Sequence, residues 1–64
     1  MQTPEWYMSI PVEQAANCLR YAGKSNLPDM RKLVAACESA GDKSRAEMVN
    51  RYIDRIESGV QKEA

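Results

Sequence analysis

The chain contains no histidine, and its only cysteines are Cys18 and Cys37. A zinc site of Cys and His needs four ligands, so a single chain of this composition cannot form one. The sequence also has no glycine-rich phosphate loop, and its carboxylates are scattered without an evident catalytic pair. We therefore expect a protein that is not an enzyme and that has no metal, no cofactor and no small-molecule substrate.

Long apolar runs are missing as well. No stretch approaches the roughly 20 apolar residues that cross a bilayer, and the mean hydropathy of -0.58 is typical of a soluble chain. Residues 1–5 have neither the basic region nor the apolar core of a secretory signal. We expect a cytoplasmic protein without membrane contact, in which Cys18 and Cys37 remain reduced.

An excess of charge of either sign is also lacking, because nine basic residues balance nine acidic ones. No segment has enough positive charge to dominate binding to a phosphate backbone. A modest basic patch near the first connection nevertheless keeps nucleic-acid binding as an alternative that we do not favour. This patch consists of Arg20, Lys24, Arg31 and Lys32.

Three further arginines, Arg45, Arg51 and Arg55, are predicted on the outer side of the last helix. Glu47 precedes Arg51 by four residues, and Asp54 adjoins Arg55. Such spacing favours a solvent-exposed face with ion pairs over a phosphate-binding surface.

The N-terminal segment, residues 1–10, contains the densest group of large apolar side chains. Thr3 followed by Pro4 predicts a capped helical turn over residues 4–8. The apolar group is either a lid over the open end of the longer helices or an exposed patch that anchors a partner, since Trp and Tyr are favoured at interfaces. Its members are Trp6, Tyr7, Met8 and Ile10.

Apolar spacing then predicts a first long helix over residues 11–22. Pro11 suits the first turn, and Gly23 provides a left-handed stop. Because Ala40-Gly41 repeats the pair Ala22-Gly23, we expect the same helix end at both places. The inward face consists of Val12, Ala15, Ala16, Leu19 and Ala22.

Two more helices are predicted over residues 28–40 and 43–58, the latter capped by Asp42 and followed by a frayed tail over 59–64. Their connection is so short that they should turn back on each other as an antiparallel hairpin. The last helix has an apolar ladder of Ala46, Val49, Ile53, Ile56 and Val60. Together with Leu33, Val34 and Cys37, the first four of these residues form the expected core of the hairpin or of a dimer.

A homodimer is expected for two reasons. A chain of 64 residues buries only about 60% of the surface exposed in its unfolded state, so its core is thin. The last helix also has an apolar stripe beside the ladder, formed by Met48 and Tyr52, which is wider than one partner helix covers. These two residues join the N-terminal apolar cluster as candidate partner contacts. The fold class we expect is therefore an all-α single domain that dimerises into a helical bundle.

Resemblances to known families add little to this interpretation. The segment from Leu33 to Ala46 resembles one helical hairpin of tetratricopeptide or pentatricopeptide repeats, which bind peptides or RNA through stacked copies. A single copy has no concave array, so we interpret the likeness as shared geometry. Gly23-Lys24-Ser25 resembles the turn of a helix-turn-helix unit, but Asp29 and Lys32 occupy positions that this unit requires to be apolar.

In compactness and in its lack of chemistry, the whole chain resembles the small accessory proteins of temperate phages and bacterial prophages. The resemblance is one of general character and rests on no motif. We expect a small regulatory or adaptor protein that acts by binding another protein, with itself as a second partner. The alternative is an accessory protein or transcriptional regulator that binds nucleic acid.

Overall fold

The structure is a computed structural model that describes residues 1–59, and within this range it is helical with no strand. The all-α class predicted from the sequence is confirmed. Val60 of the apolar ladder and most of the predicted frayed tail lie outside the described residues. The elements are the helices α1 (Pro4–Met8), α2 (Val12–Leu19), α3 (Leu27–Ser39) and α4 (Lys43–Ser58), with a 3-10 turn at Lys24–Asn26.

Local chemistry accounts for the helix beginnings. Thr3 caps α1, because its hydroxyl accepts a hydrogen bond from the backbone N–H of Trp6 at 3.2 Å. Asp42 caps α4 in the same way, with the N–H of Arg45 donating to a carboxylate oxygen at 3.1 Å. Each cap satisfies one of the backbone donors that a helix leaves unpaired in its first turn.

The end of α3 is a Schellman motif. Gly41 has φ of 75°, the left-handed conformation that suits glycine. The N–H of Asp42 donates to the carbonyl of Cys37 at 2.9 Å, and the N–H of Gly41 donates to that of Glu38 at 3.1 Å. The chain therefore leaves α3 and enters α4 within residues 40–42.

The end of α2 differs from this prediction. α2 stops at Leu19, three residues before the expected boundary, and Gly23 has φ of -123° and is extended rather than left-handed. In this connection the Oδ1 of Asn26 accepts a hydrogen bond from the N–H of Gly23 at 2.9 Å. The two Ala-Gly pairs are thus different helix ends, and the expectation of one shared solution was wrong.

The core lies mainly between α3 and α4, which pack extensively on each other. α1 covers α3, and α2 packs against α4. An ion pair joins Arg31, early in α3, to Glu57, near the end of α4. Val34 is only half-buried against the core, whereas the other predicted core residues are buried. These are Leu33, Cys37, Ala46, Val49, Ile53 and Ile56. Met30 is buried as well, and of the predicted inward face of α2, Ala15 and Leu19 are buried while Val12, Ala16 and Ala22 are half-buried.

The wide apolar face of α4 is largely covered inside the chain. Met48 is buried, Tyr52 is half-buried, and both lie beside Ala16 of α2. A small residue such as Ala16 allows two helices to approach closely. The width of this face therefore does not require a second molecule. Among the described residues, no helix has the length and the apolar character needed to span a membrane.

Candidate functional site

The N-terminal apolar cluster is packed onto the helices. Tyr7 is buried, while Trp6, Met8 and Ile10 are half-buried against the core. The rings of Trp6 and Tyr7 meet edge to face, with centroids 5.0 Å apart. Burial raises the pKa of the Tyr7 hydroxyl. Tyr7 and Met48 are therefore not accessible to a partner in this structure, which corrects their assignment as interface residues.

Cys37 of α3 packs against the N-terminal apolar cluster. Its thiol lies 3.4 Å from the sulfur of Met8 and is buried. Burial, reinforced by the negative charge of Asp42, raises the pKa of this thiol. A buried thiol of raised pKa is a poor nucleophile. Cys18 is exposed, and the two cysteines are not bonded to each other.

Arg45, in the first turn of α4, binds the N-terminal segment of residues 1–10, which packs on the helices and which we call the lid. The sequence placed it on the outer face, but it is only 8% exposed. One guanidinium nitrogen, Nη1, donates to the backbone carbonyls of Tyr7 and Ile10 at 2.6 and 2.7 Å. Its Nε donates to Asp42 at 3.0 Å. Arg45 therefore joins the end of α1 and the chain just after it to the beginning of α4, and it cannot contact a phosphate of a nucleic acid.

Asp42 is the anionic partner in this arrangement. The side chain and the backbone N–H of Arg45 both donate to its carboxylate, which lowers the pKa of Asp42 below its ordinary value. An arginine in the first helical turn opposes the helix dipole. The negative charge of the Asp42 carboxylate offsets this unfavourable interaction. Asp42 therefore both caps α4 and pairs with the arginine that binds the lid.

The remaining arginines of α4 border a groove between α2 and α4. Its volume is about 240 Å³, and it is lined by Ala16, Met48, Arg51, Tyr52 and Arg55. A second concavity of about 30 Å³ shares Tyr52 and Arg55 and includes Arg20 and Ala22. We call these two concavities together the α2–α4 groove. It presents a half-buried aromatic ring between basic side chains from two helices.

Arg55 lies over the ring of Tyr52, with its guanidinium carbon 5.6 Å from the ring centroid. Such cation–π contact restricts the side chain while leaving its N–H groups available. Within residues 1–59, the ion pairs present are Arg31–Glu57 and Asp42–Arg45. The expected pairing of Glu47 with Arg51 is therefore not observed, and the groove arginines have no acidic partner in the described chain.

The four members of the basic patch predicted from the sequence have different surroundings. Arg31 is paired with Glu57. Lys24 and Lys32 are exposed, but neither lines the α2–α4 groove. Arg20 alone joins the groove, together with arginines that the sequence had assigned to a solvated face. The missed signal was local: Arg51, Tyr52 and Arg55 place two guanidinium groups beside an aromatic ring on one helix.

No group of three or more possible metal ligands among His, Cys, Asp and Glu occurs in the part of the chain that the structure describes. Comparison with known proteins found no matching family model, no matching curated protein and no matching solved structure. The α2–α4 groove is therefore interpreted from its own geometry.

Proposed function

We propose that this chain is a small non-enzymatic regulatory or adaptor protein whose α2–α4 groove binds a segment of another protein. The observation that carries the proposal is the groove itself. It combines an apolar floor, a half-buried tyrosine and arginines that have no acidic partner within residues 1–59. Tyr and Arg are enriched among the residues that dominate the energy of protein interfaces.

The position of the groove supports the same proposal. The N-terminal apolar cluster, the other candidate surface, is occupied in completing the core. The groove is instead open to solvent and lies beside α4, whose inner face is anchored on α3. A partner segment can therefore bind there without opening the fold, as is usual for preformed interfaces.

Site-specific photocrosslinking in cells of the native host tests this proposal. A benzophenone amino acid replaces Tyr52 in one variant and Asp54 in a matched control, since Asp54 is exposed on α4 and does not line the groove. We expect a discrete crosslinked protein from position 52 and none from position 54. Equal crosslinking from both positions, or none from position 52, would refute binding at the groove.

Nucleic-acid binding is the second candidate function, and the three groove arginines favour it over the original patch. Tyr52 beside Arg20, Arg51 and Arg55 offers both a stacking surface and phosphate ligands. Retention of a labelled single-stranded oligonucleotide that weakens steeply with added salt would support this function. Absence of retention at low salt would eliminate it.

The homodimer and the antiparallel arrangement of α3 and α4 are also proposed. The short connection at residues 40–42 and the Arg31–Glu57 ion pair support the antiparallel hairpin. The thin core supports dimerisation, whereas the apolar width of α4 no longer does. Light scattering at micromolar concentration should give twice 7.2 kDa. A mass of 7.2 kDa would exclude the dimer.

A further inference from the structure

We infer that the occupant of the α2–α4 groove is an acidic amphipathic peptide segment, with apolar side chains on the groove floor and carboxylates against the arginines of its rim. This inference rests on the proposed function and specifies the chemistry of the partner. It follows from three features: the sign of the charge at the rim of the groove, the nature of its floor and the charge of its surroundings.

The charge of the rim is of one sign and comes from both walls. Arg20 lies just after the last residue of α2, and Arg51 and Arg55 are one turn apart on α4. Residues four apart on a helix project to the same side. The guanidinium fork binds a carboxylate through two parallel N–H donors, so this rim is complementary to Asp and Glu side chains.

The floor of the groove is apolar and shallow. Ala16 and the half-buried ring of Tyr52 form the floor that a partner can reach, because Met48, which also lines the concavity, is buried. A helix laid in such a groove would place apolar residues at spacings of three and four on the floor. Its flanking residues would then face the arginines.

The surroundings of the groove favour a short peptide over nucleic acid. The chain has a net charge of zero, so it lacks the long-range positive field that concentrates polyanions. Glu47 and Asp54 are exposed on α4 near the groove arginines and would repel a phosphate backbone extending beyond the rim. A peptide with acidic residues only along its flanks avoids that repulsion and still pairs with each arginine.

Selection from a random peptide library displayed on phage tests the inference. The full chain is the target, and the selected peptides are synthesised and their affinities measured by titration. The decisive variant is the double change Arg51→Glu with Arg55→Glu. Its matched control is Lys32→Glu with Lys43→Glu, which changes the net charge equally at exposed positions outside the groove.

We expect selected peptides with a net negative charge and with apolar residues three or four positions apart. Their affinity should fall at least about tenfold in the groove variant, because like charges then face each other, and should change less than about twofold in the control. The groove variant should in turn select basic peptides. Circular dichroism of both variants shows whether the fold is intact, and Arg55→Gln serves as a milder change of the same kind.

The possible failures are distinguishable. Peptides that depend on the groove arginines but carry no excess of acidic residues would overturn the acidic partner and leave the proposed function standing. If no peptide is selected, or if every selected peptide binds the groove variant as well as the wild type, both the inference and the proposed function fail. Binding of a labelled oligothymidylate that the groove variant abolishes, without any selected peptide, would replace both by the nucleic-acid function.

Discussion

Replacement of Arg45 by methionine should destabilise the protein more than any other single loss of charge on α4. Methionine provides an unbranched apolar chain similar to the aliphatic stem of arginine, so the change removes mainly the guanidinium group. Two backbone carbonyls, those of Tyr7 and Ile10, and the Asp42 carboxylate then lose their donor. The side chain of Arg45 is 9% exposed, so water cannot replace these bonds without loosening the lid.

The expected cost follows from the bonds that are lost. A hydrogen bond to a charged group contributes about 1.5–3 kcal/mol, so the two carbonyl bonds together contribute about 3–6 kcal/mol. The carboxylate of Asp42 is about one-third exposed and regains water, so its share is small. Allowing for partial hydration of the carbonyls, we expect a loss of about 3 kcal/mol, which is typical of a broken buried pair. At about 0.05–0.15 kcal/mol per residue, this is a third or more of the stability of such a chain.

Urea denaturation followed by two signals measures this loss. Circular dichroism reports the helices, and the fluorescence of Trp6, the single tryptophan, reports the lid. The matched control is Arg51→Met, an exposed arginine of the same helix, which should change the free energy of unfolding by less than about 0.5 kcal/mol. If Arg45→Met is equally mild by both signals, Arg45 does not clamp the lid. Arg45→Lys should be more stable than Arg45→Met but less stable than the wild type, because an ammonium group cannot span the same acceptors.

Three further outcomes are expected. Because the pKa of Asp42 is lowered on folding, its carboxylate stabilises the fold at pH values above the ordinary pKa of 3.8, and this contribution is lost as the pH falls through the pKa of the folded state. Asp42→Asn keeps the cap, so the free energy of unfolding of this variant should depend less on pH below about 4. In Gly41→Ala the added methyl group meets no atom within 4 Å, but the backbone must keep φ of 75°, so thermal unfolding should show a loss of about 1 kcal/mol. Gly23 is extended and equally open, so Gly23→Ala should be neutral or stabilising by about 0.4–1 kcal/mol. Equal effects of the two changes would contradict the different backbone conformations of the two glycines. A thiol reagent should modify Cys18 under native conditions and reach the buried Cys37 only on unfolding, and rapid labelling of both would contradict the packing of Met8.

The parts of the fold that the sequence predicts well are those encoded locally. The range of α4, Lys43–Ser58, is the range that its apolar spacing and its flanking residues indicated. Asp42 supplies the cap, and Gly59 ends the helix with φ of 76°. All of these signals lie within one or two helical turns of the residues they position, which is why a single sequence contains them.

The end of α2 shows where local signals fail. Ala22-Gly23 and Ala40-Gly41 have the same two residues, yet only the second pair adopts the left-handed end. At the first pair, the N–H of Asn26 donates to the carbonyl of Gly23 and closes a 3-10 turn before α3, and the side chain of Asn26 accepts from the N–H of Gly23. A glycine permits a left-handed conformation without requiring it, so the residue type alone does not determine the helix end.

Arg45 shows a different limit of prediction from sequence, because its helical spacing and its residue type pointed to opposite faces of α4. It precedes Met48 by three residues and Val49 by four, and this spacing places it on the inward face of α4. Residue type argued for the outer face, since arginine is rarely buried without partners. The partners are two backbone carbonyls, one in the last turn of α1 and one just after it, more than thirty positions away in the chain. Packing of the N-terminal segment onto α4 is therefore what decides the position of Arg45.

The α2–α4 groove depends on tertiary packing in the same way. It exists because α2 docks on α4 at Ala16, which covers Met48 and leaves Tyr52 half-exposed between two walls. The sequence showed the wide apolar face correctly but assigned its coverage to a second molecule. Because α2 covers that face, we assign the proposed binding function to the rim of the groove, where the arginines have no acidic partner within residues 1–59.

The arginines of α4 therefore divide into two roles along one helix. Arg45, in the first turn, contacts the lid and stabilises a helix of five residues, α1, which is too short to be stable alone. Arg51 and Arg55 lie nearly two and nearly three turns further on, border the groove and bond to no carbonyl of the lid. Because the contacts of the two sets do not overlap, their effects should be additive. Loss of Arg45 should weaken folding, and loss of the groove arginines should weaken binding in a chain that remains folded.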